Sequence, residues 1–234
     1  MKKVSDIHAI KIIFFITACY VGLWAIRIPT IKDQLQTDYV GVGYIMLSFA
    51  IGSIVAMIFA NALILKTSTK SILTFTLIAE GCLWLPVPFI QELWLFMVFS
   101  FVFGMSYGAF EIACNVYASN LEVREKKSMM SGFHAFWSLG VLFGSLITSF
   151  LLEWNYSFIF NILLYVIILL PLSLYFVLCL ESQVETKSED SSKKNIFFIW
   201  PLLIFLLALI AMANALTAVS YTHLRAHETV RNRG

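Results

Sequence analysis

Charge is what this chain has least of. Only 13% of its 234 residues are Asp, Glu, Lys or Arg, against roughly a quarter in soluble domains. The formal net charge is +2, so there is no basic footprint for nucleic acid. Cys19, Cys82, Cys114 and Cys179 fall in apolar runs at unrelated spacings. With neither a CxxC nor a Cys/His ligand spacing, they read as small buried hydrophobes, and neither a metal site nor a cofactor is expected. No small-residue cleavage site follows Lys2 and Lys3, so the first apolar run reads as a retained span and not as a signal peptide.

In place of charge the chain has apolar length. A helix crossing the hydrocarbon core needs about 20 predominantly apolar residues. Seven stretches qualify: Ala9–Ile26, Gly41–Leu65, Ser71–Ile90, Leu93–Ser119, Met129–Leu152, Ser157–Leu180 and Ile196–Ala218. Trp84, Trp94, Trp154, Tyr156 and Trp200 stand near predicted ends, as interfacial anchors do. The expected fold class is all-α, a polytopic membrane helix bundle. Orientation follows from the basic residues. Eleven of them (Lys2, Lys3, Lys11, Lys66, Lys70, Arg124, Lys126, Lys127, Lys187, Lys193 and Lys194) fall on one side, against Arg27 and Lys32 on the other up to the seventh span. By the positive-inside rule the N-terminus is expected to be cytoplasmic.

The domain reading is a six-helix bundle over residues 1–180, a polar cytoplasmic linker at 181–195 and a seventh helix at 196–218. Six helices, a linker and a seventh helix form the opening of a six-plus-six arrangement. Residues 219–234 break the pattern. Ser220-Tyr-Thr-His-Leu-Arg-Ala-His-Glu-Thr resembles a translated sequencing adapter, which implies a non-native tail on a truncated transporter. The other reading is a genuine extracytoplasmic tail.

Polar groups inside apolar helices are expensive and need a reason. Glu111 and Asn115 are four apart on the fourth span and share a face. A carboxylate there suits a proton-coupling role, or a structural hydrogen bond to a neighbouring helix. Glu80 on the third span is the weaker case, without polar neighbours at helical spacing. His134 and Trp137 lie three apart on the fifth span. His134 would partner Glu111, touch a polar substrate or serve helix packing, and Trp137 would stack on a flat ligand. Arg27 closes the first span beside Pro29, which is expected to end that helix. It either snorkels to headgroups or faces a cavity. Gly104-Met-Ser106-Tyr-Gly108 matches GxSxG, with His134 as a conceivable base. The nucleophile elbow needs a strand-to-helix turn, whereas this motif sits in a helical run whose glycines also satisfy GxxxG packing, as do Gly140 and Gly144. An intramembrane serine hydrolase is therefore the remote alternative. Ser48-Phe-Ala-Ile-Gly52-Ser53 also echoes Ser138-Leu-Gly140-Val-Leu-Phe-Gly144-Ser145, as nested three-helix repeats would.

Four segments carry a family resemblance. They are Gly22-Leu-Trp-Ala-Ile-Arg-Ile-Pro-Thr-Ile-Lys, Ala50-Ile-Gly-Ser-Ile-Val-Ala-Met, Gly108-Ala-Phe-Glu-Ile-Ala-Cys-Asn and Ser131-Gly-Phe-His-Ala-Phe-Trp-Ser-Leu-Gly. With them residues 8 to about 218 resemble the major facilitator superfamily, in the branch similar to fucose permease. The resemblance implies the N-terminal six-helix half plus a seventh helix, with the C-terminal half missing. It further implies alternating access and secondary transport of a small polar solute (sugar-like, a related metabolite or a drug) across the inner membrane, driven by protons. By the same resemblance Glu111 is the proton-coupling candidate, while the residues themselves make Arg27, Asn115, His134 and Trp137 the substrate-binding candidates. One departure stands out. The family's G-x-x-x-D-R-x-G-R signature reads Asn61-Ala-Leu-Ile-Leu-Lys-Thr-Ser-Thr here, keeping positive charge at Lys66 and Lys70 but losing the acid and the glycines. A non-transporting membrane sensor or scaffold on the same fold is the alternative from another class.

Overall fold

Apolar runs of this length have one way to satisfy every backbone group without water, which is to become helices. The computed structural model describes residues 5–181, apart from the side chains at positions 60–62 and 65. Its elements are α1 (Asp6–Gln34), α2 (Tyr39–Lys66), α3 (Thr69–Trp84), a single 3-10 turn (Val87–Phe89), α4 (Leu93–Glu125), α5 (Met130–Glu153) and α6 (Phe158–Cys179). All six helical spans are long and apolar enough to cross a membrane. The seventh span, the linker beyond residue 181 and the 219–234 segment lie outside the described residues.

The helix starts are set by short polar side chains. Asp38 accepts from the Gly41 amide at 3.0 Å, Ser68 from Ser71 at 3.1 Å and Ser157 from Phe160 at 3.1 Å. Each satisfies one of the amides a helix N-terminus leaves unpaired. Before α5 the same job falls to Glu122, whose carboxylate accepts from the Met129 amide and from Met130 at 2.6 Å.

Several boundaries differ from expectation, two of them at residues expected to stop a helix. Pro29 does not end the first helix, because α1 runs through it to Gln34. A proline deletes one amide donor and clashes with the carbonyl a turn earlier, and here the helix continues past that local fault. Charge likewise does not end α4, which continues to Glu125 and stops at Lys126 in the left-handed conformation (φ 51°).

Large apolar side chains point outward as well as inward. Phe75, Ile167 and Leu178 are all about two-thirds exposed or more, an arrangement that suits lipid and not water. The interior is organised by two close helix pairs, α1 with α5 and α2 with α4. In both, glycines let backbones touch. A Cβ on Gly22 would collide with the Val141 carbonyl, and one on Gly104 with the Phe49 carbonyl. A Cβ on Gly144 would collide with the Cys19 carbonyl, and one on Gly52 with the Phe101 carbonyl. The hydrogen bonds repeat too. Ser145 donates to the Gly22 carbonyl at 3.5 Å, and Ser53 donates to the Gly104 carbonyl at 3.0 Å. The pair α1–α5 thus maps onto α4–α2 residue by residue, so the first helix of each three-helix repeat packs on the second helix of the other. The sequence echo between spans two and five is one half of that relation.

The end of the bundle with most basic residues is tied across four helices. Asp6, almost wholly buried, accepts from Arg124 at 2.8 Å and from the Glu181 amide at 3.2 Å. Lys70 donates to the last carbonyls of α6, Leu178 at 3.0 Å and Leu180 at 2.6 Å. An exposed ion pair contributes little, but Asp6 is buried, and removing Arg124 leaves its carboxylate without a charged partner, held by the Glu181 amide. Arg124→Gln is expected to cost about 2 kcal/mol. Adding Asp6→Asn should recover part of the loss in a thermal melt of the detergent-solubilised protein.

Candidate functional site

Glu111 and Asn115 lie on α4, and His134 and Trp137 lie near the start of α5. Glu111 feels the charge of His134 electrostatically but makes no hydrogen bond or ion pair with it among the described residues. His134 is exposed, with its ring edge-on to Phe14 of α1 at 5.7 Å between centroids. Asn115 carries a buried side-chain oxygen without a hydrogen-bond partner among the described residues. Trp137 is half-buried beside Tyr107 and lines a cavity. These four residues therefore occupy neighbouring turns of α4 and α5.

Arg27 is placed differently. It is 2% exposed and faces α6: Nε donates to Asn161 Oδ1 at 3.0 Å, Nη2 donates to the Tyr156 carbonyl at 3.3 Å, and the guanidinium lies 5.4 Å from the Phe158 ring centre. It neither snorkels outward nor lines the cavity.

Ser106, the serine of GxSxG, sits within α4 and not on a strand-to-helix turn. Its hydroxyl is buried and unpaired among the described residues, with no histidine in hydrogen-bonding reach of it there. Gly104 and Gly108 serve instead as contact points for Phe49 and Ser53 of α2.

What the sequence reading did not find is the cavity itself. About 390 Å³ opens among α1 to α5, walled by rings that include Tyr20, Trp24, Phe49, Trp84, Phe103 and Tyr107, with Glu80 at its side. The rings touch one another. Tyr20 stacks on Trp84 at 6.0 Å, Trp84 meets Phe103 edge-on at 5.6 Å, and Phe49 lies 5.5 Å from Tyr107. The volume is in the range of small-molecule sites. The one available signal was the aromatic share of the chain, 15%, but these rings come from helices far apart in sequence.

A polytopic helix bundle built from two interlocked three-helix repeats, with ionisable groups held inside it, has the architecture of half a membrane transporter. Comparison with known proteins agrees. The family model described as Major Facilitator Superfamily matches residues 12–230, and the chain belongs to that family. It is 28% identical over 143 residues to an uncharacterized MFS-type transporter of Yersinia pestis, covering 61% of this chain and 37% of that protein. It is 25% identical over 141 residues to an uncharacterized transporter of Sinorhizobium fredii, covering 56% of this chain and 35% of that protein. The chain thus spans little more than a third of either relative. No solved structure matches it.

Proposed function

We propose that the chain is the N-terminal six-helix part of a proton-coupled secondary transporter for a small polar solute, in the branch similar to fucose permease. It sits in the inner membrane with its N-terminus cytoplasmic and works by alternating access against a second bundle. The observation that carries the reading is a carboxyl, Glu111, held within the apolar run of α4, with His134 of α5 as an electrostatic neighbour and not an ion-pair partner. A carboxyl in such a place gains and loses its proton as the surroundings change between wet and dry, which is what coupling requires. Asn115, with its unpaired oxygen, and Trp137, with its ring, are the solute contacts. Arg27 would act on the solute only indirectly, by setting the α1–α6 contact. The two bundles would rock about this region, each moving as a body.

The test uses the intact transporter in vesicles, with an imposed pH gradient and a panel of labelled hexoses and deoxyhexoses. Glu111→Gln is expected to abolish accumulation while leaving solute exchange, which needs no net proton movement. Uptake that still responds to the pH gradient in that variant would remove Glu111 from the coupling role.

A further inference from the structure

We infer that the aromatic cavity of α1 to α5 is a binding site for an organic monocation, a protonated amine carrying an apolar or aromatic body, with Glu80 as its counter-ion. Glu80 is 7% exposed, lines the cavity wall and makes no hydrogen bond or ion pair among the described residues. None of the residues lining the cavity is basic. A carboxylate in apolar surroundings without a cationic partner is a costly arrangement. Such a group stays neutral by holding its proton until a cation arrives, and here it borders a space large enough to admit a cationic partner that would displace that proton to solvent. Trp84 adds a second unpaired group, since its buried indole N–H has no acceptor among the described residues.

The chemistry of the walls chooses among ligands. A divalent metal needs six or more oxygen ligands or a set of nitrogen and sulfur donors, and Glu80 with Ser100 supplies too few. A sugar needs hydrogen-bond partners around its whole ring, and these walls are almost entirely hydrocarbon and aromatic surface. An organic ammonium needs one negative charge and several ring faces, because the electron-rich face of Trp, Tyr or Phe attracts a cation. Tyr20, Trp24, Phe49, Trp84 and Tyr107 supply those faces around Glu80. The site shares Trp137 with the solute contacts proposed above, while Glu80 and the rings of α1 to α3 lie outside that set. It holds whether or not the solute reading above is correct, because equilibrium binding requires neither a gradient nor the second bundle.

Trp24, Trp84 and Trp137 line the cavity, so its occupation is readable as a change in tryptophan fluorescence. The purified 234-residue chain in dodecylmaltoside would be titrated at neutral pH with phenethylamine, with its uncharged isostere 2-phenylethanol, and with the anion 3-phenylpropionate. N-acetyltryptophanamide in the same micelles corrects for partitioning. Saturable quenching by the amine is expected, with 2-phenylethanol weaker by about tenfold or more and 3-phenylpropionate inactive. Glu80→Gln should erase the preference for the amine over the alcohol while leaving alcohol binding in place. Equal binding of amine and alcohol by the unaltered chain, or an unchanged amine affinity in Glu80→Gln, would overturn the assignment. Should the variant not fold, the comparison of the three probes on the unaltered chain decides alone.

Discussion

Replacing Gly144 by leucine is expected to leave no monodisperse protein in detergent, and Gly104→Leu should do the same on the other helix pair. A Cβ at Gly144 would sit 2.7 Å from the Cys19 Cα and closer still to its carbonyl oxygen. These are backbone atoms of α1, which cannot rotate aside as a side chain can, so α1 and α5 must separate along their whole contact. Separation also breaks the bond across this seam from the Ser145 hydroxyl to the Gly22 carbonyl, 3.5 Å long. Helix association in lipid depends on close packing and has no hydrophobic driving force to fall back on. The loss therefore belongs among the exceptional ones, at about 4–5 kcal/mol or more. Gly132→Ala is the control. Nothing lies within 4 Å of a Cβ there, and alanine favours the helix by up to about 1 kcal/mol. Size-exclusion profiles and melting temperatures of the three variants test the contrast. A monodisperse, normally melting Gly144→Leu would show that this helix pair is not held by the glycine contacts.

The second large effect is expected at Arg27. Arg27→Ala removes the donor that Asn161 Oδ1 and the Tyr156 carbonyl both use. Asn161 is fully buried and its amide nitrogen already lacks a partner, so the variant leaves that side chain wholly unsatisfied. Each stranded buried group costs about 1–3 kcal/mol, and a total near 3 kcal/mol is expected as a lowered melting temperature. Arg27→Lys should recover only part, because an ammonium lacks the planar fork that meets two acceptors at once. If Arg27 instead contacted solute, Arg27→Ala would depress uptake and leave the melting temperature where it was.

The contrast between Arg27 and Glu80 shows what was legible before the fold was known. Long apolar runs located all six helices, since length and hydropathy are properties of one segment at a time. Boundaries were less legible. Pro29 marked a stop that α1 overrides, while at the end of α3 the helix finishes at Trp84, just before Pro86, and not at Ile90. The face shared by Glu111 and Asn115 followed from helical spacing, and its closeness to His134 emerged only once α4 and α5 were side by side. Glu80 was ranked low because no charged or amide side chain sits one turn away on α3, where Thr76 is the polar residue at that spacing, whereas its relevant neighbours are rings on α1, α2, α4 and α5. Arg27 read as facing either lipid or cavity, and its partner Asn161, on a helix far along the chain, was invisible to spacing. What a segment is can be read from the segment, but what it meets is decided by all the others.

The crossed glycine contacts also set an order of assembly. Neither three-helix repeat contains its own closest partner surface: α1 has to wait for α5, and α2 for α4. During synthesis α1 would therefore reside in the bilayer with its glycine face uncovered until the fifth helix has left the insertion machinery. Chains halted after α3 should remain open to proteolysis and cross-linking along that face, the α2–α4 seam should close once α4 is complete at Glu125, and the α1–α5 seam only in chains carried past Glu153.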